Sequence, residues 1–118
     1  MSEETKTNRL RTDFTIQWGD GEYKFQLRGM ECQELERVCG EIGIGEIHRR
    51  VTSGNWFFND LKETIRLGLI GGGTGAVKAR QLVDMYVSEA ALASNEDSPE
   101  ALAVAILNAL WYGVEYAE

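Results

Sequence analysis

The stretch DLKETIRLGLIGGGTGAVKARQLVDMYV, residues 60–87, decides how the rest of the chain is read. Two readings compete. As strand, glycine turn and helix it opens a dinucleotide-binding unit: residues 65–70 supply a short apolar strand, and Gly71, Gly73 and Ala76 stand at G-x-G-x-x-A spacing. That motif brings backbone N–H groups to a pyrophosphate at a helix N-terminus and needs a second parallel strand after the helix. The next apolar run, residues 101–107, instead follows Ser98-Pro99-Glu100 and continues unbroken into Asn108-Ala109-Leu110-Trp111. Ser as N-cap, Pro at the first helical position and Glu in the first turn start a helix, so the second strand is missing. A Walker A loop fails as well, because Lys78 follows Ala-Val and no Ser or Thr comes after it.

As helix, glycine hinge and helix, the same stretch explains more of its residues. Asn59 or Asp60 caps the start, with Glu63 completing a capping box. Leu61, Ile65, Gly68 and Leu69 fall on one face, and Lys62, Glu63 and Arg66 fall on a solvated flank. Gly71-Gly72-Gly73 supplies positive φ for a C-cap and a reversal. Helix resumes after Thr74 or Gly75 with a stripe of Ala76, Ala79, Val83, Tyr86, Val87 and Ala90. Two helices joined by so short a link pack against each other.

Working outward, residues 94–98 form a polar, acidic linker, and a last helix runs from 99 to about 116. It is apolar on two stripes: Leu102, Ile106, Ala109 and Gly113, then Ala103, Leu107, Leu110, Trp111 and Val114. So wide an apolar surface predicts burial on two sides, one in this domain and one under another protein or a second copy of the chain. On the N-terminal side, Phe14, Ile16 and Trp18, then Tyr23, Phe25 and Leu27, alternate as a β-hairpin does. A four-residue loop, 19–22, would pair Trp18 with Tyr23, Ile16 with Phe25 and Phe14 with Leu27. A lone hairpin is marginal in water, so helices must cover that face. Residues 30–41 read as a first helix with Met30, Leu35, Val38 and Cys39 inward and Glu31, Glu34, Glu36 and Arg37 outward. A short helix, 46–51, precedes the turn Ser53-Gly54-Asn55 and three aromatics in a row, Trp56-Phe57-Phe58. Three consecutive side chains cannot all enter one core; they wedge the loop against the hairpin or leave one for a partner.

The expected fold is α+β: an N-terminal two-stranded antiparallel β-hairpin packed against a bundle of about four α-helices. Residues 1–11 are expected as a flexible N-terminal arm and 12–118 as a single globular domain, since a chain of this size hides roughly two-thirds of its unfolded surface. A formal charge of −7 repels phosphate backbones, so no direct nucleic-acid binding is expected. Arg49-Arg50 and Lys78/Arg80 are only pairs. No apolar run approaches the ~18–20 residues of a membrane span, and the charged N-terminus has no signal-peptide core, which points to the cytoplasm. Cys32 and Cys39, two turns apart on a helix, lie roughly 10 Å from one another, beyond disulfide reach. His48 has no Cys or Asp nearby and reads as a surface residue. No catalytic constellation, metal site or cofactor is expected.

The succession GDGEYKFQLR, QELERVCG, IGEIHRRV-x-x-GNW and above all DLKETIRLGLIGGG followed by AVKARQLVDMYV resembles a family of small tail proteins of tailed phages, prophages and gene transfer agents. The resemblance runs from about residue 14 to 111, and its most specific part is IRLGLIGGG with Ala79, Leu82, Val83 and Tyr86 downstream. It implies a non-enzymatic protein, either a tail assembly chaperone or a minor tail-tube component. Its partner would be a tape-measure or tail-tube protein, and it would reside in the host cytoplasm or in the particle. A chaperone of this kind needs an acidic body with an apolar groove. Trp56, Phe57 or Phe58, and Trp111, Tyr112 or Tyr116, are the candidate partner-binding anchors.

Overall fold

The computed structural model of the chain describes residues 10–115; residues 1–9 of the expected arm and Tyr116 among the expected anchors lie outside them. β1 (Asp13–Trp18) and β2 (Gly21–Gln26) form an antiparallel two-stranded sheet. Five helices follow: α1 (Gly29–Val38), α2 (Ile44–Ser53), α3 (Phe58–Gly71), α4 (Ala76–Tyr86) and α5 (Pro99–Tyr112). The class is α+β, and residues 65–70 are helical. α3 lies at the centre, touching β2 and each of the other helices. Its Leu61, Ile65 and Leu69 meet Phe25 and Leu27 of the hairpin, Leu35 of α1, Ile47 and Val51 of α2, Val83 of α4 and Ile106 and Leu107 of α5 in one fully buried cluster.

The hairpin closes on two residues rather than four. Trp18 pairs with Gly21, Ile16 with Tyr23 and Phe14 with Phe25. Gly19 sets this register: at φ +62° it takes the first central position of a tight turn, and a Cβ there would fall 2.8 Å from the Tyr86 ring. The slip from the expected pairing leaves the apolar side chains on their expected face, because the side-chain period is two. That face is unevenly covered. Phe25 and Leu27 are buried, Phe14, Trp18 and Tyr23 half-buried, and Ile16 is 38% exposed.

The triple glycine does more than reverse the chain. In a two-residue hairpin the closing pair exchanges both hydrogen bonds, and such pairs recur at every second residue. Lys24 and Gln26 therefore turn their carbonyls away from β1. A Cβ on Gly71 would sit 1.9 Å from the Gln26 oxygen, and one on Gly72 would sit 1.9 Å from the Lys24 oxygen. Only glycine lets the last turn of α3 lie against that strand edge. Gly73, at φ +114°, then makes the expected reversal.

Several local expectations are corrected. The N-cap of α3 is Phe57, not Asn59 or Asp60; Asp60 is the acid one turn in, accepting the Phe57 N–H at 2.9 Å. Glu63 is not the capping acid and is not solvated, but lies buried in an ion pair with Arg66. Glu31 turns inward and Met30 outward at 73% exposure, because the Glu31 carboxylate binds the Arg28 N–H at 3.0 Å and the Arg28 guanidinium at 2.7 Å. A carboxylate with such partners is buried at little cost, which residue type alone does not reveal. Ala76 is exposed at the start of α4. α5 begins as expected, with Ser98 as N-cap accepting from Ala101 and Pro99 in its first turn. It ends at Tyr112, earlier than expected, because Gly113 takes φ +82° and Val114 then pairs with Arg11 in an antiparallel bridge.

Candidate protein-binding surface

The expected aromatic anchors fall into two groups held apart by α2. At the end of α5, Trp111 stacks on His48 of α2 with ring centroids 4.1 Å apart and planes 9° from parallel. His48 is half-buried rather than a free surface residue, with its Nε2 at 2.9 Å from Asn108 Oδ1. Tyr112 meets the same imidazole edge-on at 6.3 Å and remains 67% exposed. At the other end of the α2–α5 pair, Trp56 is half-buried and donates its indole N–H to Glu100 at 2.8 Å. Phe57 is 66% exposed under the Arg50 guanidinium, 4.8 Å from the ring centroid, and Phe58 is exposed as well. Of the three consecutive aromatics, one therefore pins the loop to α5 and two face outward. α2, about 15 Å long by helical rise, separates them from Trp111 and Tyr112, so the five described candidates do not form one patch.

Tyr112 also stands at the rim of a groove of about 620 Å³ between β1 and α5. Phe14 and Ile16 line it from the strand, and Ala101, Leu102 and Ala105 from the helix. Glu96 and Asp97 stand at one mouth, Gly113 and Val114 at the other. The lining is largely apolar, and small alanines on the helix side leave it unfilled. Both expected stripes of α5 turn mainly into the domain's own core, through Leu102, Ile106 and Ala109 and through Ala103 and Leu107; the exposed position beside the groove is Ala105, which belongs to neither. The groove itself is illegible in sequence, because it depends on where β1 ends up relative to α5.

The Arg49-Arg50 pair forms no patch: Arg49 is bound to Glu46, and Arg50 is 2.7 Å from the buried Asp60. The Cys39 thiol is pushed up to about 12, first by burial and then by the nearby Asp60 carboxylate, which makes it a poor nucleophile at neutral pH. Both cysteines are free thiols. No helix among the described residues is long and apolar enough to cross a membrane.

The family model described as phage tail tube protein, GTA-gp10, matches residues 11–113, from the residue that bridges to Val114 through the end of α5. The chain belongs to this family. It is a small phage-tail protein, as the resemblance in IRLGLIGGG and its downstream helix implied. No curated protein and no solved structure matches the chain. The match spans the hairpin, the glycine-terminated α3 and the whole of α5, so the groove and the Trp111–His48 stack both lie inside the family's extent. Of the surface features of this tail protein, His48, Asn108 and Ala105 are the ones sequence reasoning missed. The only signal for His48 was its place one turn from Ile44 and Val51 on an amphipathic helix.

Proposed function

We propose that this tail protein works as a chaperone-type binder, holding a tape-measure or tail-tube polypeptide during tail assembly, and that it performs no chemistry of its own. One observation carries the reading. α5 buries Leu102, Ala103, Ile106 and Leu107 in the domain's own core, yet presents Ala105 and Tyr112 outward beside an unfilled apolar groove, with Trp111 part-exposed next to them on His48. Apolar surface on the second side of a helix, rimmed by aromatic side chains, is the composition of a protein-binding site. The acidic remainder of the surface keeps such a body from self-association.

Co-purification with the tail proteins encoded beside it tests this. The Trp111→Ala/Tyr112→Ala double variant should still unfold cooperatively in urea, at a lower midpoint because the stack on His48 is lost, and bind at least about tenfold more weakly. Equal capture by parent and folded double variant sinks the site assignment. The family's description favours a second reading, a structural component of the tail tube. Mass spectrometry of purified particles separates the two: a chaperone is absent from them and stays in the host cytoplasm, whereas a tube component is present in many copies.

A further inference from the structure

We propose that the outer edge of β1 is a docking edge: an extended segment of a partner polypeptide adds to it as a third strand, seated in the groove beside α5, with a Lys or Arg side chain against Glu96 and Asp97. The proposal rests on the binder reading only for which polypeptide brings the strand.

The hydrogen-bond alternation that turns Lys24 and Gln26 outward on β2 turns Asp13, Thr15 and Gln17 outward on β1. Among the described residues no hydrogen bond reaches the backbone N–H or C=O of Thr15 or Gln17. Arg11 has the same parity, and there the edge is met: Arg11 donates to the Val114 carbonyl at 3.1 Å and accepts from the Val114 N–H at 2.7 Å. Backbone therefore already pairs on this side, at one end only. The remaining edge, residues 13–17, spans about 13 Å at the usual strand rise, room for a segment of about five residues. Beneath it lies the groove, with Ile16 exposed on the strand side and Ala105 on the helix side. Alternate side chains of an added strand would enter that groove, while its backbone would satisfy Thr15 and Gln17.

The occupant is neither of the nearest alternatives. Val114 runs antiparallel to Arg11, which sets Glu115 on the Leu10 side, away from β1. A second copy would bring a surface of net charge −7 against Glu96 and Asp97, both exposed and without an ion-pair partner among the described residues. A partner strand that is apolar at alternate positions and cationic at the Asp97 end fits both the groove and its mouth.

The probe is a fluorescein-labelled peptide, KVTVTVT, measured by anisotropy against the full chain. Saturable binding is expected below about 1 mM, with hydrogen exchange slowed at the Thr15 and Gln17 amides. N-methylation of alternate peptide amides should abolish it. Thr15→Pro removes one outward donor from an edge strand, where proline is tolerated, and should weaken binding about tenfold. Ala105→Arg, at an exposed position, should block the groove without unfolding the domain, and Asp97→Lys should reverse a preference for the Lys-headed peptide over a Glu-headed one. No binding below that limit, equal binding of the N-methylated peptide, unchanged exchange at Thr15 and Gln17, or indifference to Ala105→Arg overturns the proposal. So does a concentration-dependent dimer that Ala105→Arg dissolves, since the edge then belongs to a second copy. If tail proteins are captured equally by parent, Thr15→Pro and Ala105→Arg, strand addition falls and the binder reading stands. If KVTVTVT binds as described and no tail protein is captured, the edge stands and the binder reading falls.

Discussion

The hairpin has two outer edges, and the molecule treats them in opposite ways. The β2 edge is closed by the last turn of α3, where Gly71 and Gly72 lie against the carbonyls of Gln26 and Lys24 too closely for any side chain. Among the described residues the β1 edge meets one backbone pair, Arg11 with Val114, and is otherwise open beside a groove. An exposed strand edge invites pairing with other chains, and natural proteins cover or blunt it unless pairing is its use. Sealing one edge with a three-glycine run while leaving the other open divides the labour: the β2 side holds the fold together, the β1 side is free to bind.

The sharpest way to break that comparison is to add side chains on the closed side. In an ordinary helix interior, Gly→Ala stabilises by about 1 kcal/mol. Here the double variant Gly71→Ala/Gly72→Ala should destabilise by about 5 kcal/mol, because each methyl must push α3 off β2 and the shift loosens the core. Urea unfolding reads this directly. A double variant as stable as the parent would show that the glycines serve only the turn.

Next in size is the other end of α3. The buried Asp60 takes the Arg50 guanidinium at 2.7 Å and the Phe57 N–H at 2.9 Å. Asp60→Ala leaves Arg50 without its partner and should cost about 3 kcal/mol, the usual penalty for breaking a buried pair from one side. If α3 positions the closed edge, this loss at its far end should also speed amide exchange in β2 more than in β1.

These positions show what a sequence can and cannot disclose. The helical character of residues 65–70 was legible, because the periodicity of Leu61, Ile65 and Leu69 is a property of neighbours along one element. So were the hairpin face and the Ser98-Pro99 start of α5. The two-residue turn was not, since Trp18-Gly-Asp-Gly-Glu offers two loop lengths of equal parity and the choice depends on the Tyr86 ring beneath Gly19. Glu31 and Glu63 read as solvated because their guanidinium partners are invisible until rotamers are fixed. The division of the five described aromatic candidates into two groups follows from the orientation of α2 against α5, which no local pattern encodes.

On the open side, substitutions should barely register in stability. Thr15→Pro forfeits no bond to β2 and should change the unfolding free energy by no more than about 1 kcal/mol, set by the backbone φ proline imposes. A loss comparable to that of the glycine variants would mean that the edge is already engaged in holding the fold, and the contrast between the two sides would collapse.

The smallest effect is a matter of pH. Glu31 lies on the closed side, with Oε1 at 2.9 Å from where a Gly71 Cβ would stand. The hydrogen bond from the Arg28 side chain, helped by the Arg28 backbone N–H, holds its carboxyl below the ordinary value of 4.5 despite burial. A folded-state value depressed below the unfolded one means that Glu31 contributes stability at neutral pH and loses it as pH falls through the folded value. Glu31→Gln keeps an acceptor for the Arg28 N–H but cannot ionise. Its stability should therefore fall less steeply than the parent's below pH 4.5, with the two curves separated by a constant gap at neutral pH. Urea midpoints measured from neutral pH down through the acid limb test this. If the parent and Glu31→Gln curves stay parallel there, the Arg28 contact does not distinguish folded from unfolded chain, and the closed side depends on the glycines alone.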